Sequence, residues 1–387
     1  MNRFPEQRAI ISGIGISRIG RRTGIPGIEL TAVAARAAIA DAGLTPADID
    51  GISTMGDTPP GEVASTLGIE PRYHGGGFDT GGLLSPAMSA FQAVGLGRAR
   101  HVLVYRTVAM MGGTILPPAG QDAKPESPAA NSSMMSDMGA LLACHAYSAA
   151  NWLAMHCQRH MHLYGTTKEQ LGWLAINSRR NAALNPLAVY RDPMTMDDYL
   201  GARMVSTPFG LLDCDVPVDG SIAVVVSIDD HAKNCPNDAI HVAAIGGSTG
   251  EGGWTRRPDY PKMASVDAAA EMWSRTDLTA SDIDIAELYD GFTYLTFAWL
   301  EALGICGDGE AGPFVEGAQR IALDGELPLN TYGGQLSAGR MHGYWVLHEA
   351  CVQLRGQGGE RQVPRRPEVA VVSNGGGPIA GCMLLTR

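Results

Sequence analysis

The feature that most constrains the fold of this chain is a nine-residue segment that occurs twice. The sequence LTPADIDGI at residues 44–52 returns as LTASDIDIA at residues 278–286, about 230 residues further along. An alanine-rich segment with helical spacing precedes each copy, and a strand-like segment that ends in glycine precedes each helix, at residues 10–17 and 241–248. Elements that recur in the same order over such a distance indicate an internal duplication.

The duplication predicts two homologous α/β halves. A compact apolar strand at residues 101–105 (HVLVY) has its counterpart at residues 369–373 (VAVVS), and helices alternate with strands around both. We expect an N-terminal half at residues 1–235 and a C-terminal half at residues 236–387, with a cap inserted into the first half at about residues 110–204. With 387 residues, the chain is long enough for two lobes with sizeable cores.

Local patterns place the other elements of the first half and its cap. A buried strand is expected at residues 9–17, a helix at residues 28–42 and a second helix at residues 84–96. The segment at residues 117–137 is rich in Pro, Ser, Ala and Met and lacks periodicity, which indicates either a loop that covers a cleft or a mobile segment. Residues 140–164 are expected to be helical.

Composition excludes several classes of protein. The formal net charge is −11, and charged residues make up 18% of the chain against 45% hydrophobic residues. Because nucleic acids and membrane surfaces attract basic faces, neither is an expected partner. No apolar run approaches the roughly 20 residues of a transmembrane helix. The 7 cysteines include no C-x-x-C pair, which indicates reduced thiols and a soluble cytoplasmic protein.

Three histidines lie close together in the expected cap helix, in the sequence MHCQRHMHLYG. His156 and His160 are four residues apart, so both can lie on one helix face and could bind a metal ion together with His162. No glutamate or further cysteine completes a set such as H-E-x-x-H. Helix packing or support of a substrate loop is therefore expected, and no metal.

A glycine-rich stretch at residues 330–345, NTYGGQLSAGRMHGYW, is the best candidate for a functional loop. Gly333 and Gly334 can adopt positive φ and carry no Cβ, so a ligand can approach the main chain closely. His342 and Tyr344 follow, and both side chains can hold or transfer protons. The alternative is a turn that caps the following apolar helix, and the stretch by itself leaves both interpretations open.

Four segments carry a family resemblance. They are residues 155–226, ELYDGFT at residues 287–293, NTYGGQLSAG at residues 330–339 and SNGGG at residues 373–377. In this order they resemble the thiolase superfamily, in its sterol-carrier-protein-type (lipid-transfer) branch, and the resemblance covers nearly the whole chain. It implies an α/β fold of two βαβαβαββ halves stacked as αβαβα layers, usually dimeric, with acyl-CoA bound beneath the inserted loops.

The catalytic residues of thiolases are not carried over. A thiolase attacks with a cysteine at the N-terminus of a buried helix in the first half, where the helix dipole favours the thiolate. In this chain that position falls near residues 80–83, and no cysteine precedes Cys144. The motifs G-H-P, C-x-G-G-G and N-E-A-F are replaced by Gly339-Arg340-Met341, by SNGGG from Ser373, and by Tyr289-Asp290-Gly291-Phe292. The losses, with the glycines kept, imply a changed reaction or none.

Tyrosine occurs twice at substituted positions, as Tyr289 and Tyr344, and this pattern is similar to the thiolase-like retro-aldolases of steroid side-chain degradation, as in cholesterol catabolism. These lyases cleave a β-hydroxyacyl-CoA, a steroid 17-hydroxy-20-carboxyl-CoA thioester, into a ketosteroid and propionyl-CoA. The resemblance implies no cofactor beyond the CoA of the substrate. It also implies a homodimer that forms a heterotetramer with a small OB-fold/zinc-ribbon partner protein.

Retro-aldol cleavage needs a base for the β-hydroxyl proton and donors for the thioester enolate, but it needs no nucleophile. From the motifs we expect Tyr344 or Tyr289 to be the base or proton relay. The expected catalytic residues are Tyr344, Tyr289, His342, Asp290 and Tyr294, and the residues expected to bind the substrate or its oxyanion are Gly333, Gly334, Arg340, Ser373, Gly375 and Gly376. Structural alternatives remain open for each, such as core packing for Tyr294 or a helix N-terminal charge for Asp290. Cys382 is expected to be a buried structural residue.

Two other functions remain open at this point. A degenerate thiolase or acyltransferase would use a nucleophile such as Ser85 or Ser373 and would form an acyl-enzyme. A non-catalytic subunit would bind acyl-CoA or a sterol and leave it intact. The residues do not identify the acyl chain, and the expectation of CoA comes from the resemblance, because no P-loop or dinucleotide-binding motif is present.

Overall fold

Eleven strands lie in the part of the chain that the structure describes. The computed structural model describes residues 4–56, 58–77, 81–109, 137–249 and 253–387. In chain order the strands are β1 (Ala9–Ile16), β2 (Gly51–Thr54), β3 (Tyr73–Gly76), β4 (His101–Ala109), β5 (Met204–Ser206), β6 (Phe209–Gly210), β7 (Asp219–Ile228), β8 (Ile240–Thr249), β9 (Ile285–Glu287), β10 (Val369–Gly376) and β11 (Ile379–Thr386). Apart from the small pair β5–β6, all of them belong to one mixed sheet.

The order of the strands confirms the duplication. The order is β3-β2-β4-β7-β1-β8-β11-β10-β9. Strands β2, β4, β7 and β1 of the first half correspond to β9, β10, β11 and β8 of the second half, so the second half repeats the first in mirrored order. The halves meet where β1 and β8 pair antiparallel, through the residue pairs Ile10↔His241 and Ile11↔Ile240 alone. The two strand-like segments that end in glycine therefore form the junction.

Helices lie on both faces of this sheet and between its two halves. In chain order the described α-helices are α1 (Gly27–Asp41), α2 (Pro60–Leu67), α3 (Ser85–Gly95), α4 (Met138–Ala143), α5 (Ala149–Tyr164), α6 (Lys168–Ala183), α7 (Met196–Leu200), α8 (Ala264–Trp273), α9 (Thr293–Ala302), α10 (Ala311–Val315) and α11 (Tyr344–Leu354). A single turn of π-helix occupies Gly334–Ala338.

The contacts of these helices define five layers. Helix α1 covers β1, β7 and β4 on the outside of the first half, and α8 covers β8 and β11 on the outside of the second. Helices α3 and α11 fill the centre, and α11 contacts strands of both halves, β7 and β1 as well as β10 and β9. The central core includes Phe91, Val104, Leu347 and Met383. The predicted αβαβα arrangement is confirmed.

Glycine and alanine explain why both outer helices lie so close to the sheet. A Cβ added to Gly13 of β1 would lie 2.1 Å from the carbonyl oxygen of Ala38, and one added to Gly246 of β8 would lie 2.0 Å from that of Ala268. Only a residue without a Cβ permits such an approach in a close-packed interior. The glycine-containing strand and the alanine-rich helix recur together because the close contact between strand and helix needs small residues on both sides.

The cap differs from its predicted form in one respect. The helix expected at residues 140–164 is two helices, α4 and α5, because His145 between them adopts a left-handed conformation with φ of 61°. The loop predicted at residues 117–137 lies outside the described residues, except for Asp137. Within the described ranges, no helix combines the length and the apolar character needed to cross a membrane.

Candidate active site

A cavity of about 520 Å³ lies between the cap and the loops at the ends of the strands. Both halves contribute to it, because Gly82, Leu83 and Asp215 come from the first and Tyr289 and Arg340 from the second. Its apolar lining consists chiefly of Leu83, Leu153, Trp254, Phe292, Leu295 and Ile379. The remaining lining includes the ionisable groups Asp215, Tyr289, Arg340 and His342.

Asp215 is the acidic group of the cavity. Its carboxylate Oδ1 accepts a hydrogen bond from Nη1 of Arg340 at 3.3 Å, and only 14% of the side-chain surface is exposed. Its backbone N–H donates to the carbonyl of Gly291 at 3.1 Å, which fixes the segment beside the Tyr289 loop. Burial raises the pKa of Asp215 to about 6, although the charge of Arg340 opposes the shift. Asp215 is thus a carboxylate poised near neutral pH.

Tyr289 lies at the same end of the cavity. Its backbone N–H donates to Oγ of Ser373 at 3.0 Å, and its ring folds back over Gly291, where an added Cβ would lie 2.9 Å from the ring. Burial raises the pKa of Tyr289 well above its usual value; the nearby charge of Asp215 raises it further, and Arg340 lowers it. Tyr289 therefore stays a phenol and can donate or relay a proton.

His342 follows the π-helical turn and lines the cavity. Its Nδ1 lies 2.6 Å from Nη2 of Arg106, a buried residue of β4, and its backbone N–H donates to Oε1 of Gln335 at 3.0 Å. Burial lowers the pKa of His342 to about 2, and the positive charges of Arg106 and Arg340 lower it as well. The imidazole is therefore neutral at physiological pH and cannot act as a cation.

Asp290 supports the site from beneath the glycine loop. Its Oδ1 accepts the N–H of Gln335 at 2.8 Å, and its Oδ2 accepts that of Leu336 at 3.5 Å. Gly334, with φ of 61°, makes room for this carboxylate, because a Cβ there would lie 2.0 Å from Oδ2. Burial raises the pKa of Asp290 to about 7, and the two backbone donors oppose the shift. Asp290 and Gly334 shape the turn and do not belong to the described cavity lining.

The other predicted site residues divide into two groups. Gly375 and Gly376 line the cavity, whereas Gly333 packs against Ala182, with φ of 105°. Ser373 is fully buried behind Tyr289, whose N–H its hydroxyl accepts.

Tyr344 and Tyr294 are both buried away from the described lining. Tyr344 begins α11 and is fully buried in the central layer. Tyr294 belongs to α9, and its ring lies 5.5 Å from that of His160. The predicted catalytic roles of both tyrosines stay predictions.

Thiol chemistry has no support at this site. Cys214 lines the cavity, but burial raises its pKa to about 12, and the charges of Asp213 and Asp215 add to the effect. A thiol that holds its proton this strongly is neither a nucleophile nor a base at neutral pH. Cys382 is fully buried in β11, as expected of a structural residue.

Two of the three clustered histidines of the cap, His156 and His160, have protein partners. The two ring nitrogens of His156 lie 2.7 Å and 3.0 Å from the carbonyl oxygens of Trp254 and Pro261. Nε2 of His160 lies 3.0 Å from a carboxylate oxygen of Glu301. In the described part of the chain, no three His, Cys, Asp or Glu side chains are grouped so that they could hold a metal ion.

Sequence reasoning missed Asp215, although a signal was present. Three aspartates occur in the stretch DCDVPVDG at residues 213–220, just before a buried strand. Asp213 accepts hydrogen bonds from Thr293 Oγ1 at 2.8 Å and Gly210 N at 2.7 Å, and Asp219 accepts one from Thr23 N at 2.9 Å. These two are structural, and Asp215 alone of the three faces the cavity.

Known proteins share this architecture. The thiolase C-terminal domain-like family matches residues 246–385. A solved structure of an Ltp2-ChsH2(DUF35) aldolase superposes with a TM-score of 0.89 at 31% identity, covering 98% of each chain. An acetyl-CoA acetyltransferase from Syntrophomonas wolfei, at 17% identity and a TM-score of 0.70, shares the fold.

Curated relatives match over nearly their full length. A steroid side-chain-cleaving aldolase from Thermomonospora curvata is 33% identical over 97% of both chains. A 17-hydroxy-3-oxo-4-pregnene-20-carboxyl-CoA lyase from Mycobacterium tuberculosis is 33% identical over 97% of this chain and 99% of its own. This chain therefore belongs to the steroid side-chain-cleaving aldolases, carbon–carbon lyases built on the thiolase fold.

Proposed function

We propose that this chain cleaves a steroid 17-hydroxy-20-carboxyl-CoA thioester, a β-hydroxyacyl-CoA, into a ketosteroid and propionyl-CoA by a retro-aldol reaction. The relative from Mycobacterium tuberculosis is named for a substrate of this kind. The apolar part of the cavity, with Leu153, Trp254 and Leu295, suits a polycyclic hydrocarbon skeleton. No cofactor is required beyond the CoA carried by the substrate.

The observation that carries the proposal is a cavity whose described lining offers a carboxylate base and whose described thiol is not activated. Asp215, with a pKa of about 6, is a carboxylate above that pH, whereas Cys214 keeps its proton. A general base is most effective when its pKa lies near the working pH. The site is suited to removing a hydroxyl proton and is not suited to forming an acyl-cysteine.

The cleavage can be written with the groups of the cavity. Asp215 takes the proton of the 17-hydroxyl, directly or through Tyr289, and the oxygen–hydrogen bonding electrons form the new ketone. The bond between the ring carbon and the side chain breaks, and its electron pair passes into the thioester, which becomes an enolate. A proton returned to the enolate carbon gives propionyl-CoA. Arg340 holds Asp215 in place throughout through its 3.3 Å hydrogen bond.

The experiment is a direct assay of the two products. The purified chain, with its partner present, is incubated with the 17-hydroxy thioester, and equimolar ketosteroid and propionyl-CoA are expected. The matched thioester without the 17-hydroxyl has no proton for the base to remove and should stay intact. Hydrolysis of both thioesters, or an acyl-enzyme seen by intact mass spectrometry, would contradict the proposal and favour a serine nucleophile such as Ser373 or Ser85.

We also propose a homodimer that binds a small OB-fold/zinc-ribbon protein to form a heterotetramer. The solved aldolase with a TM-score of 0.89 bears a name that pairs it with a DUF35 protein, which supports a partner of this kind. Coexpression followed by light scattering on a sizing column tests the stoichiometry. A monodisperse chain that never retains the partner, and that is fully active alone, would contradict this part of the proposal.

A further inference from the structure

The retro-aldol reaction leaves a negative charge on the thioester oxygen, and the cavity must supply hydrogen-bond donors for it. Asp215 and Tyr289 are occupied with the proton of the hydroxyl group. His342 lines the same cavity but is a poor base for that transfer, because its pKa is lowered to about 2. The question is which of its two nitrogens carries the proton.

The contact with Arg106 answers this question. Guanidinium groups only donate hydrogen bonds, so Nη2 of Arg106, at 2.6 Å, makes Nδ1 of His342 an acceptor. A neutral imidazole carries one proton, which must then be on Nε2. Arg106 is buried in β4, with 7% exposure, and is fixed by the sheet of the first half. The protein therefore holds His342 as the tautomer that offers an Nε2–H donor.

The backbone of His342 is held in an unusual conformation at the same time. Its φ of 50° lies in the left-handed region, which is strained for a residue other than glycine. The hydrogen bond from its N–H to Gln335 and the contact with Arg106 maintain that conformation. Such outliers persist where the position of the side chain matters for function.

A second donor, Asn374, lies behind the wall of the cavity: it is not itself a lining residue, but its chain neighbour Gly375 and its hydrogen-bond partner Leu83 are. Asn374 is fully buried, and its Oδ1 accepts the N–H of Leu83 at 3.0 Å, which fixes the amide so that Nδ2 points the other way. Nδ2 faces Gly343, where a Cβ would lie 2.1 Å from it, and it has no hydrogen-bond partner among the residues that the structure describes. A buried donor left without an acceptor is costly, unless a ligand supplies one.

We propose that Nε2–H of His342 and Nδ2–H of Asn374 together bind the oxygen of the thioester enolate, with Arg106 as the residue that positions His342. This inference rests on the proposed function, because it names the groups that stabilise the product side of that cleavage. Both donors are neutral and preoriented, so they favour the enolate over the uncharged thioester carbonyl. The acceptor is the acyl oxygen of a CoA thioester of any short chain.

Exchange of the α-hydrogens of propionyl-CoA in D2O tests the donors without any steroid. The wild-type complex passes through the enolate and incorporates deuterium, which mass spectrometry measures. His342→Ala and the isosteric Asn374→Asp should each slow exchange by about 10²–10³-fold. His342→Gln, which keeps an N–H donor, should recover part of the rate, and the exposed His162→Gln should leave it unchanged. Wild-type exchange no faster than that of the two slow variants would overturn the inference.

Spectroscopy of the unaltered protein tests the tautomer. In protein labelled with ¹⁵N-histidine, and with His342→Gln used to identify the signal, His342 should be the neutral Nε2–H tautomer from about pH 5.5 to 8.5. Arg106→Gln should let its pKa rise toward the usual value of about 6.5. A wild-type His342 that titrates in this range, or that carries its proton on Nδ1, would overturn the inference.

The outcomes separate this inference from the proposed function. A complex that exchanges propionyl-CoA through His342 and Asn374, yet leaves the steroid thioester intact, refutes the proposed substrate and keeps the enolate site. A complex that cleaves the steroid thioester at the same rate with His342→Ala or Asn374→Asp keeps the proposed function and refutes the enolate site.

Discussion

At the scale of single residues, burial sets the charge of the cavity. At pH 7 Asp215 is a carboxylate, because its pKa is raised only to about 6, while His342 is neutral, because its pKa is lowered to about 2. Tyr289 remains a phenol. Burial thus brings the pKa of Asp215 close to neutral and keeps His342 neutral even in acid, whereas the usual pKa values of these side chains are about 3.9 and about 6.5.

The first prediction concerns Asp215→Asn. The amide has nearly the same shape but cannot accept the hydroxyl proton, so kcat should fall about 10²–10⁴-fold. In the wild-type enzyme the base is present above its pKa, so kcat/KM should rise with pH and level off above about pH 6. Steady-state kinetics from pH 4.5 to 8 give both results. A pH profile that is flat through pH 6 would exclude Asp215 as the base.

The second prediction compares the two tyrosines. Tyr289→Phe removes the phenol that lines the cavity, and Tyr344→Phe removes one buried at the start of α11. We expect each change to cost far more in kcat than in substrate binding, as the motifs predict for a proton-transfer role. Parallel measurements of kcat and of thioester affinity distinguish the two. Near-normal turnover by either variant would remove that tyrosine from the mechanism.

The candidate residues show what the sequence can and cannot reveal. Tyr289, His342, Arg340, Gly375 and Gly376 were predicted from motifs, and all five line the cavity. Asp215 was not predicted, because its importance comes from Arg340, which is 125 residues distant in the chain.

The same holds for the neighbours of His342. The contact of Arg106 with His342 joins residues 236 positions apart. Local sequence motifs do not predict such contacts, because the two residues come together only when the two halves pack against each other.

At the scale of elements, the π-helical turn Gly334–Ala338 positions the site. Its first N–H groups are held by Asp290, and Gln335 in turn holds His342. Extra-wide helical turns are rare and frequently occur at functional sites. A change that displaces Asp290 should therefore disturb the cavity without touching a lining residue.

The third prediction is that Gly334→Ala destabilises the protein by at least about 2 kcal/mol, because alanine is strained at φ of 61° and its Cβ would lie 2.0 Å from Asp290 Oδ2. Gly68→Ala is the matched control, since its φ is 72° and nothing lies within 4 Å of the added Cβ. That control should cost only about 1 kcal/mol. Urea unfolding measures both, and equal losses would contradict the role of the carboxylate.

A buried acidic pair underlies the same loop. Oγ1 of Thr331 lies 2.6 Å from Glu287 and 3.0 Å from Glu349, and Arg361 binds both oxygens of Glu349 at 2.9 Å. One hydroxyl hydrogen cannot serve two carboxylates, so one carboxyl group must itself donate. Burial raises the pKa of Glu287 well above its usual value, and the charge of Glu349 raises it further. Glu287 is therefore the protonated partner.

The fourth prediction follows from the sign of this shift. A carboxyl group whose pKa is raised in the folded state stabilises it below the unfolded pKa of about 4.3, and this contribution is lost as pH rises toward the folded pKa. Glu287→Gln removes the dependence, worth about 1.4 kcal/mol for each pH unit in that interval. Urea unfolding between pH 5 and 8 should show a shallower decline for the variant. Parallel curves would show that Glu287 is ionised in the folded protein.

The strands and helices could be predicted from the sequence more fully than the long-range contacts between side chains. The strands at residues 10–17 and 241–248 and the helices after them could be recognised because a close glycine–alanine contact leaves a local signature. The break between α4 and α5 could not, because it depends on the left-handed conformation of His145, which is uncommon for any single residue other than glycine.

At the scale of the whole molecule, the site exists only where the two halves meet. Asp215 and Arg106 belong to the first half, and Tyr289, Arg340 and His342 belong to the second. The central helix α11 contacts strands of both and carries the loop of His342 at its start. Activity should therefore require both halves to be folded together, and a fragment that contains one half alone should be inactive.

The fifth prediction uses the cysteines as reporters of the whole fold. Of the 7 cysteines only Cys144 is exposed. Iodoacetamide should modify about one thiol per native chain and all seven in urea, and activity should survive the single modification, because no thiol takes part in the chemistry. Mass spectrometry counts the adducts. Loss of activity in step with alkylation of Cys214 would contradict the proposed mechanism.

The five layers and the cavity occupy different parts of the chain, and this separation has an evolutionary consequence. The layers depend on repeated glycine, alanine and aliphatic positions, whereas the cavity depends on single side chains at the ends of strands and in loops. A gene duplication that produced such halves leaves the chemistry free to diverge. A single substitution of a lining residue in either half changes the shared cavity and leaves the packing of the layers intact.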